Sequence, residues 1–213
     1  QQSMLSTNTT NPLSRFAAVG TIVLLWAVQF YYNVHFYFPG GNLFSWDTFG
    51  YYQYLPFGIL HNDWGFQNQE FIDHIFKTYE PANSYYQAFT IDNGMRMPGY
   101  TIGMAILYLP FFLIGHAWAL VAGYPADGFS FPYQFCVGNG IMVYMAIGLL
   151  SLRKVLLKYF DDRVAALTIL LICWGTNFYQ EVSHDSLNTH VALFAGYCVL
   201  MRLLITWYKQ PSY

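Results

Sequence analysis

Residues 137–163 read VGNGIMVYMAIGLLSLRKVLLKYFDDR, an apolar run that stops at a cluster of cations. Val137 to Leu152 carries no charge, and Arg153, Lys154, Lys158 and Arg163 follow at once. Such a pattern marks a membrane helix with a cytoplasmic end, because loops on that side hold an excess of Lys and Arg. Composition points the same way. The 213 residues are 55% hydrophobic, 21% aromatic and 9% charged, whereas a soluble domain carries about 25% charged residues. Other apolar runs extend over Phe16 to Tyr32, Tyr100 to Val121, Val164 to Phe178 and Val191 to Trp207. Several approach the ~20 residues that a helix needs to cross hydrocarbon. The expected fold is all-α: a polytopic helical membrane protein forming one transmembrane domain over residues 1–213.

The basic residues decide the topology. If all five runs crossed, Arg15 would lie on one side and the Arg153 to Arg163 cluster on the other, against the positive-inside rule. If the run 100–121 makes no net crossing, Arg15, Arg153, Lys154, Lys158, Arg163, Arg202 and Lys209 all fall on the cytoplasmic side. Lys77 and Arg96 are then left outside. This second pattern predicts four crossings, over about 14–34, 135–153, 164–182 and 189–208, with a large external loop over about 35–134. Gly103, Pro110 and Gly115 suit residues 100–121 to a bent, re-entrant or interfacial element. An ordinary crossing that breaks the charge rule is the alternative. Residues 66–79 (FQNQEFIDHIFKTY) space Phe66, Phe71, Ile72, Ile75, Phe76 and Tyr79 as an amphipathic helix. Its expected place is the outer leaflet, with aromatics at headgroup depth and its end at Pro81 and Asn83.

A net charge of −2 offers nothing to nucleic acid. Cys136, Cys173 and Cys198 lie in or beside apolar runs without metal-type spacing and read as small buried residues. The first apolar run reads as an anchor, because no small-residue cleavage site follows it. Asn8-Thr9-Thr10 has the glycosylation pattern but is expected to be cytoplasmic. There is no P-loop, no dinucleotide fingerprint and no serine-hydrolase elbow.

Two polar clusters fall on the predicted outer face. FSWDTFGYYQYLP, residues 44–56, sets Asp47 among aromatics. EVSHDSLNTH, residues 181–190, holds Glu181, His184, Asp185 and His190. Ionisable groups that converge at membrane ends are a functional hypothesis. Asp47 reads equally as the N-cap of a helix over TFGYYQYL, and Asp185 or Ser186 as a cap of the helix near Leu187. His184 and His190 are metal-ligand candidates, although their spacing is not that of a helix-face pair. His116, in mid-run, reads as a satisfied helix histidine.

WDTFGYYQYLP (46–56), MPGYTIGMAILYLPFF (97–112) and SHDSLNTHVALF (183–194) together resemble the GT-C superfamily of membrane glycosyltransferases. The likeness is to the protein O-mannosyltransferase and aminoarabinose-transferase type and to GT-C-like membrane proteins of Bacteroidetes. It covers the layout of most of the chain, read as an N-terminal portion of such a protein. The resemblance implies transfer of a sugar from a polyprenyl-phosphate donor to an acceptor at the outer face of a bacterial inner membrane. It also implies a cytoplasmic N-terminus. Asp47 would be the catalytic base, with Asp185, or His190 in its place, joining the site. Met97-Pro98 stands where the family has Lys-Pro, so Arg96 takes the role of phosphate-contacting cation. A divalent metal ion is the implied cofactor. Trp46, Tyr51, Tyr52 and Tyr54 offer flat faces to sugar or isoprenoid; an interfacial aromatic belt is the plainer reading of the same residues.

A non-catalytic helical membrane subunit of a larger complex and, more weakly, a transporter fragment are the competing readings. The implied partners are the bilayer, a lipid-linked sugar donor and further membrane subunits. The topology makes a direct prediction. Lys77 reacts with an impermeant amine reagent applied outside intact cells, and Lys209 reacts only after permeabilisation; reaction of both from outside overturns the arrangement.

Overall fold

A computed structural model describes residues 11–38, 40–92 and 94–209; Asn8, Thr9 and Thr10 lie outside the described residues. The protein is mostly helical, and four helical segments are long and apolar enough to cross a membrane. They are Pro12–Tyr37, Gly103–Ala122, Phe131–Leu156 and Thr189–Tyr208. The first comprises helix α1 (Pro12–Tyr32) and a π-helical turn, Asn33–Tyr37. The connection that follows carries α2 (Asp47–Tyr52), a second π turn (Leu55–Leu60), α3 (Gln69–Tyr79) and an antiparallel hairpin of β1 (Ala88–Thr90) and β2 (Arg96–Pro98). The chain continues through α4 (Gly103–Ala122), α5 (Phe131–Leu156), α6 (Asp162–Gly175), α7 (Phe178–Ser183) and α8 (Thr189–Lys209).

Two elements differ from their sequence-based expectation. Residues 103–122, expected to be bent, form one unbroken α-helix that contains Pro110. Both of its flanks nevertheless return to the same short stretch: the Tyr54 hydroxyl donates to the Tyr100 carbonyl, and the Tyr52 hydroxyl to the Gly128 carbonyl. The expected crossing over 164–182 is instead two helices. α6 stops at Gly175, where Thr176 turns extended. The Thr176 hydroxyl donates back to Ile172 O at 2.7 Å and accepts from Phe178 N at 3.1 Å, ending one helix and opening the next. At 14 residues, α6 alone is shorter than a bilayer requires.

One end of the bundle is tied by charge. The cap position of α1, Asn11, makes no side-chain cap bond. Asp162 at the start of α6 supplies the missing acceptors, taking Leu13 N at 2.9 Å and Ser14 N at 3.0 Å. Burial opposes ionisation of the Asp162 carboxyl, but the bonds from Ser14 and Leu13 and the Arg153 charge outweigh it and hold its pKa low. Arg153 donates to Ser14 Oγ and to Asn11 O, both at 2.9 Å. Of the cations that the sequence groups together, Arg153 therefore sits where α1, α5 and α6 meet.

Among these helices α5 is central, packing against α1, α4, α6 and α8. Close approach is possible because it is notched. A Cβ at Gly140 would lie 2.1 Å from Phe111 Cγ, and one at Gly148 would lie 2.8 Å from Ala195 Cα. Two side chains of α1 reach polar partners on α5. Trp26 Nε1 donates to Asn139 Oδ1 at 2.9 Å and Gln29 Nε2 to Gly138 O at 3.2 Å. His116 Nδ1 lies 2.6 Å from the Tyr133 hydroxyl, the satisfied helix histidine that its sequence context suggests.

The connection between α1 and α4 has its own aromatic core. Phe44 stacks on Tyr52 at 3.6 Å between ring centroids, and Phe129 packs edge-on to both. The helix expected over 66–79 forms from Gln69, capped by the Asn68 side chain on Phe71 N at 3.0 Å. It ends in a left-handed Glu80 just before Pro81. Its apolar face does not lie free for a leaflet. Phe71, Ile72 and Ile75 are buried, with Phe71 against Phe57 and Phe76 against Phe49, because the protein's own aromatics offer a closer partner.

Adding a methyl group separates the two kinds of helix glycine. Gly196→Ala meets nothing within 4 Å and leaves the melting temperature in detergent unchanged or higher. Gly148→Ala pushes α5 off α8 and lowers stability by about 1–3 kcal/mol, the range for overpacking; equal melting temperatures for the two variants overturn the notch.

Candidate functional site

The turn from Trp46 into α2 is built under backbone constraint. Trp46 adopts φ 54°, ψ −122°, a conformation that a residue with a side chain rarely takes. It is held on both sides: its N–H donates to Pro81 O at 2.8 Å, and its carbonyl accepts from Gln87 Nε2 at 3.0 Å. Upstream, Leu43 N donates to Gln134 Oε1 at 2.9 Å, anchoring the segment to α5. The buried Asn42 side chain bonds the backbone of Phe44 and Tyr79. The indole of Trp46 stands 55% exposed, and Asp47 follows as the first residue of α2.

Asp47 does not cap its helix. Its Oδ1 accepts from the Tyr100 hydroxyl at 2.5 Å and from the Tyr86 hydroxyl at 3.2 Å. Both phenols have pKa values raised, by loss of solvent first and then by the neighbouring carboxylate, so they stay protonated and donate.

Across from this corner lies the turn between α7 and α8. Thr48 Oγ1 lies 3.4 Å from Asn188 Oδ1, which joins the two polar clusters. Between them is a cavity of about 490 Å³, whose lining includes Asp47, Trp46, Tyr86, His184, Asp185 and Asn188. The His184 ring packs 3.9 Å from that of Tyr32, and its carbonyl accepts from the Tyr37 hydroxyl at 3.4 Å. Asp185 is exposed within the turn, and α8 begins four residues later, at Thr189.

The other expected site residues lie elsewhere. Arg96 does not line the cavity: its guanidinium donates to Phe66 O and Gln69 Oε1, both at 2.7 Å, and lies 5.8 Å over the Tyr85 ring. It is committed to fastening the hairpin. Tyr52 is fully buried in the aromatic core, while the Tyr51 ring packs edge-on to Tyr100 at 4.8 Å and the Tyr54 hydroxyl is bonded to the Tyr100 carbonyl. These three rings build the wall behind the corner and do not line the cavity. His190 Nε2 lies 3.7 Å from Glu181 Oε2, linking α7 to α8 outside the cavity. Among the described residues no group of three or more His, Cys, Asp or Glu is placed to hold a metal ion.

Sequence reasoning missed Tyr86, Gln87 and Tyr100. The available signal was Asn93-Gly94 between FTI and MRM, a strong hairpin pattern. It would have paired β1 with β2, but with Asp92 facing Met95 and Gln87 facing Tyr100; the observed register, Ile91 facing Met95, is one residue away and sets Tyr86 opposite Tyr100.

Compared with known proteins, the chain matches no family model, no curated protein and no solved structure. The joining of the two clusters has a chemical test. With the native cysteines replaced, Thr48→Cys and Asn188→Cys form an intramolecular disulfide under mild oxidation, read as a mobility shift reversed by reductant. No shift would separate α2 from the α7–α8 turn.

Proposed function

We propose that the protein is a membrane glycosyltransferase of GT-C type, or the N-terminal part of one, acting at the outer face of the membrane. The observation that carries this reading is one cavity lined by Asp47 and Asp185, two carboxylates far apart in sequence, with Trp46 and Tyr86 beside them. Aromatic faces and hydrogen-bonding carboxylates and amides are what a sugar needs: its C–H faces lie on rings, and its hydroxyls bond polar groups. The apolar belt of the helices suits a donor that carries its sugar on a polyprenyl phosphate.

In this reading Asp47 takes the proton of the acceptor hydroxyl. The acceptor oxygen forms its bond to the anomeric carbon as the bond from that carbon to the phosphate oxygen breaks. The electron pair leaves with the polyprenyl phosphate, and the proton stays on Asp47 until solvent removes it. Asp185, which lines the same cavity, orients sugar hydroxyls in this reading. Among the described residues no Lys or Arg lines the cavity, so neutral hydroxyl and amide groups, Thr48, Ser186 and Asn188 among them, are what it offers the phosphate. The residues present do not form a three-ligand metal centre among the described residues.

The cation-free wall is also the one observation that favours the competing reading, a non-catalytic subunit of a larger assembly. Donor turnover separates the two. Membranes containing the protein are given polyprenyl-phosphate mannose and polyprenyl-phosphate aminoarabinose, and release of polyprenyl phosphate is measured. Asp47→Asn lowers release of the active donor by at least about 100-fold, the lower range for a lost general base, while Asp92→Asn on the hairpin leaves it unchanged. Turnover by Asp47→Asn equal to that of the unaltered protein rejects the base role.

A further inference from the structure

Resting on the transferase reading, we infer that the base of the β-hairpin orients Asp47: Tyr86 and Tyr100 fix one carboxylate oxygen and leave the other for the acceptor hydroxyl. The geometry is specific. Both phenols donate to the same atom, Oδ1, and among the described residues Oδ2 has no protein partner. A carboxylate held at one oxygen by two donors loses rotation about its Cβ–Cγ bond. Its second oxygen then keeps a fixed direction at the cavity wall.

The hairpin register explains why two residues so far apart in sequence converge. Ala88 pairs with Pro98, and Gly99 N donates to Gln87 O at 2.9 Å just beyond the strands. One further step in that register sets Tyr86 opposite Tyr100, and directly opposed residues of an antiparallel pair present their side chains on one face. Gln87, between them, is fully buried and holds the carbonyl of the strained Trp46. Three residues of the hairpin base thus grip Trp46 and Asp47 together. Arg96 at the start of β2 secures the hairpin itself, through Phe66 O and Gln69 Oε1. The cation that does not line the cavity thus serves the site indirectly, as part of the fixture behind the base.

Tyr86 and Tyr100 are positioning residues, since they act through Asp47, and a double-mutant cycle distinguishes that from a merely structural role. Donor turnover is measured in membranes for Tyr100→Phe, Tyr86→Phe, Asp47→Asn and the pair Asp47→Asn with Tyr100→Phe. A hydrogen bond to a charged group contributes about 1.5–3 kcal/mol, so Tyr100→Phe lowers kcat about tenfold or more, with KM within about twofold. The paired variant falls no further than Asp47→Asn alone. A paired variant that loses the Tyr100 factor a second time overturns the inference. So do Tyr100→Phe and Tyr86→Phe at the unaltered kcat while Asp47→Asn is inactive. Should Tyr100→Phe fail to fold, Tyr86→Phe and its own pair with Asp47→Asn carry the test. If Asp47→Asn turns over at the unaltered rate, the base role falls, and if the unaltered protein releases polyprenyl phosphate from neither donor, the transferase reading itself falls; both outcomes are distinct from these.

Discussion

The notched surface of α5 is the constraint on which the other elements depend. Where Gly148 meets Ala195, α8 comes close enough that no side chain fits between them, and Phe111 of α4 occupies the space above Gly140. In a membrane, apolar side chains gain little by leaving lipid for another helix, so association rests on close packing and matched polar groups. α5 provides both. Its glycines seat α4 and α8, its Asn139 and Gly138 take the polar side chains of α1, and its Gln134 holds the backbone of Leu43. Both walls of the cavity are thereby referred to one helix. Leu43 leads into Trp46 and Asp47, and α8 carries the turn that presents Asp185.

Strain and its compensation are concentrated at one corner. A tryptophan at positive φ costs on the order of 1–3 kcal/mol, and such a conformation persists only when its surroundings hold it. Pro81, Gln87 and the first turn of α2 do so here, through hydrogen bonds to the Trp46 backbone. The consequence is an exposed indole beside an exposed carboxylate, both on a backbone with little freedom. Sites that must hold a reacting group in one direction are built this way, with rigidity in the surroundings and polarity at the surface.

The candidate site was legible in part. Asp47 and Asp185 stand out because charges are few and each lies just outside an apolar run, and the cavity joins them. Arg96 and Tyr52 do not line the cavity, and the sequence could not show it for one reason. A lone cation or a ring beside an apolar run can serve either the site or the scaffold, and composition does not say which. Arg96 met the Phe66 carbonyl, and Tyr52 met Phe44 and Gly128. The break at Thr176 was equally hidden, because its hydroxyl competes with the backbone only once a helix has brought the Ile172 carbonyl within reach.

By itself the sequence determined the solvent of this protein. Long apolar runs with few charges require helices in lipid, because transfer energies act residue by residue. Only the tertiary structure decided which side chains share a cavity and which are spent holding it. That choice depends on register, on helix approach at single glycines and on hydrogen bonds between residues as distant as Asp47 and Tyr100. Those are properties of pairs, and no local pattern along the chain encodes them.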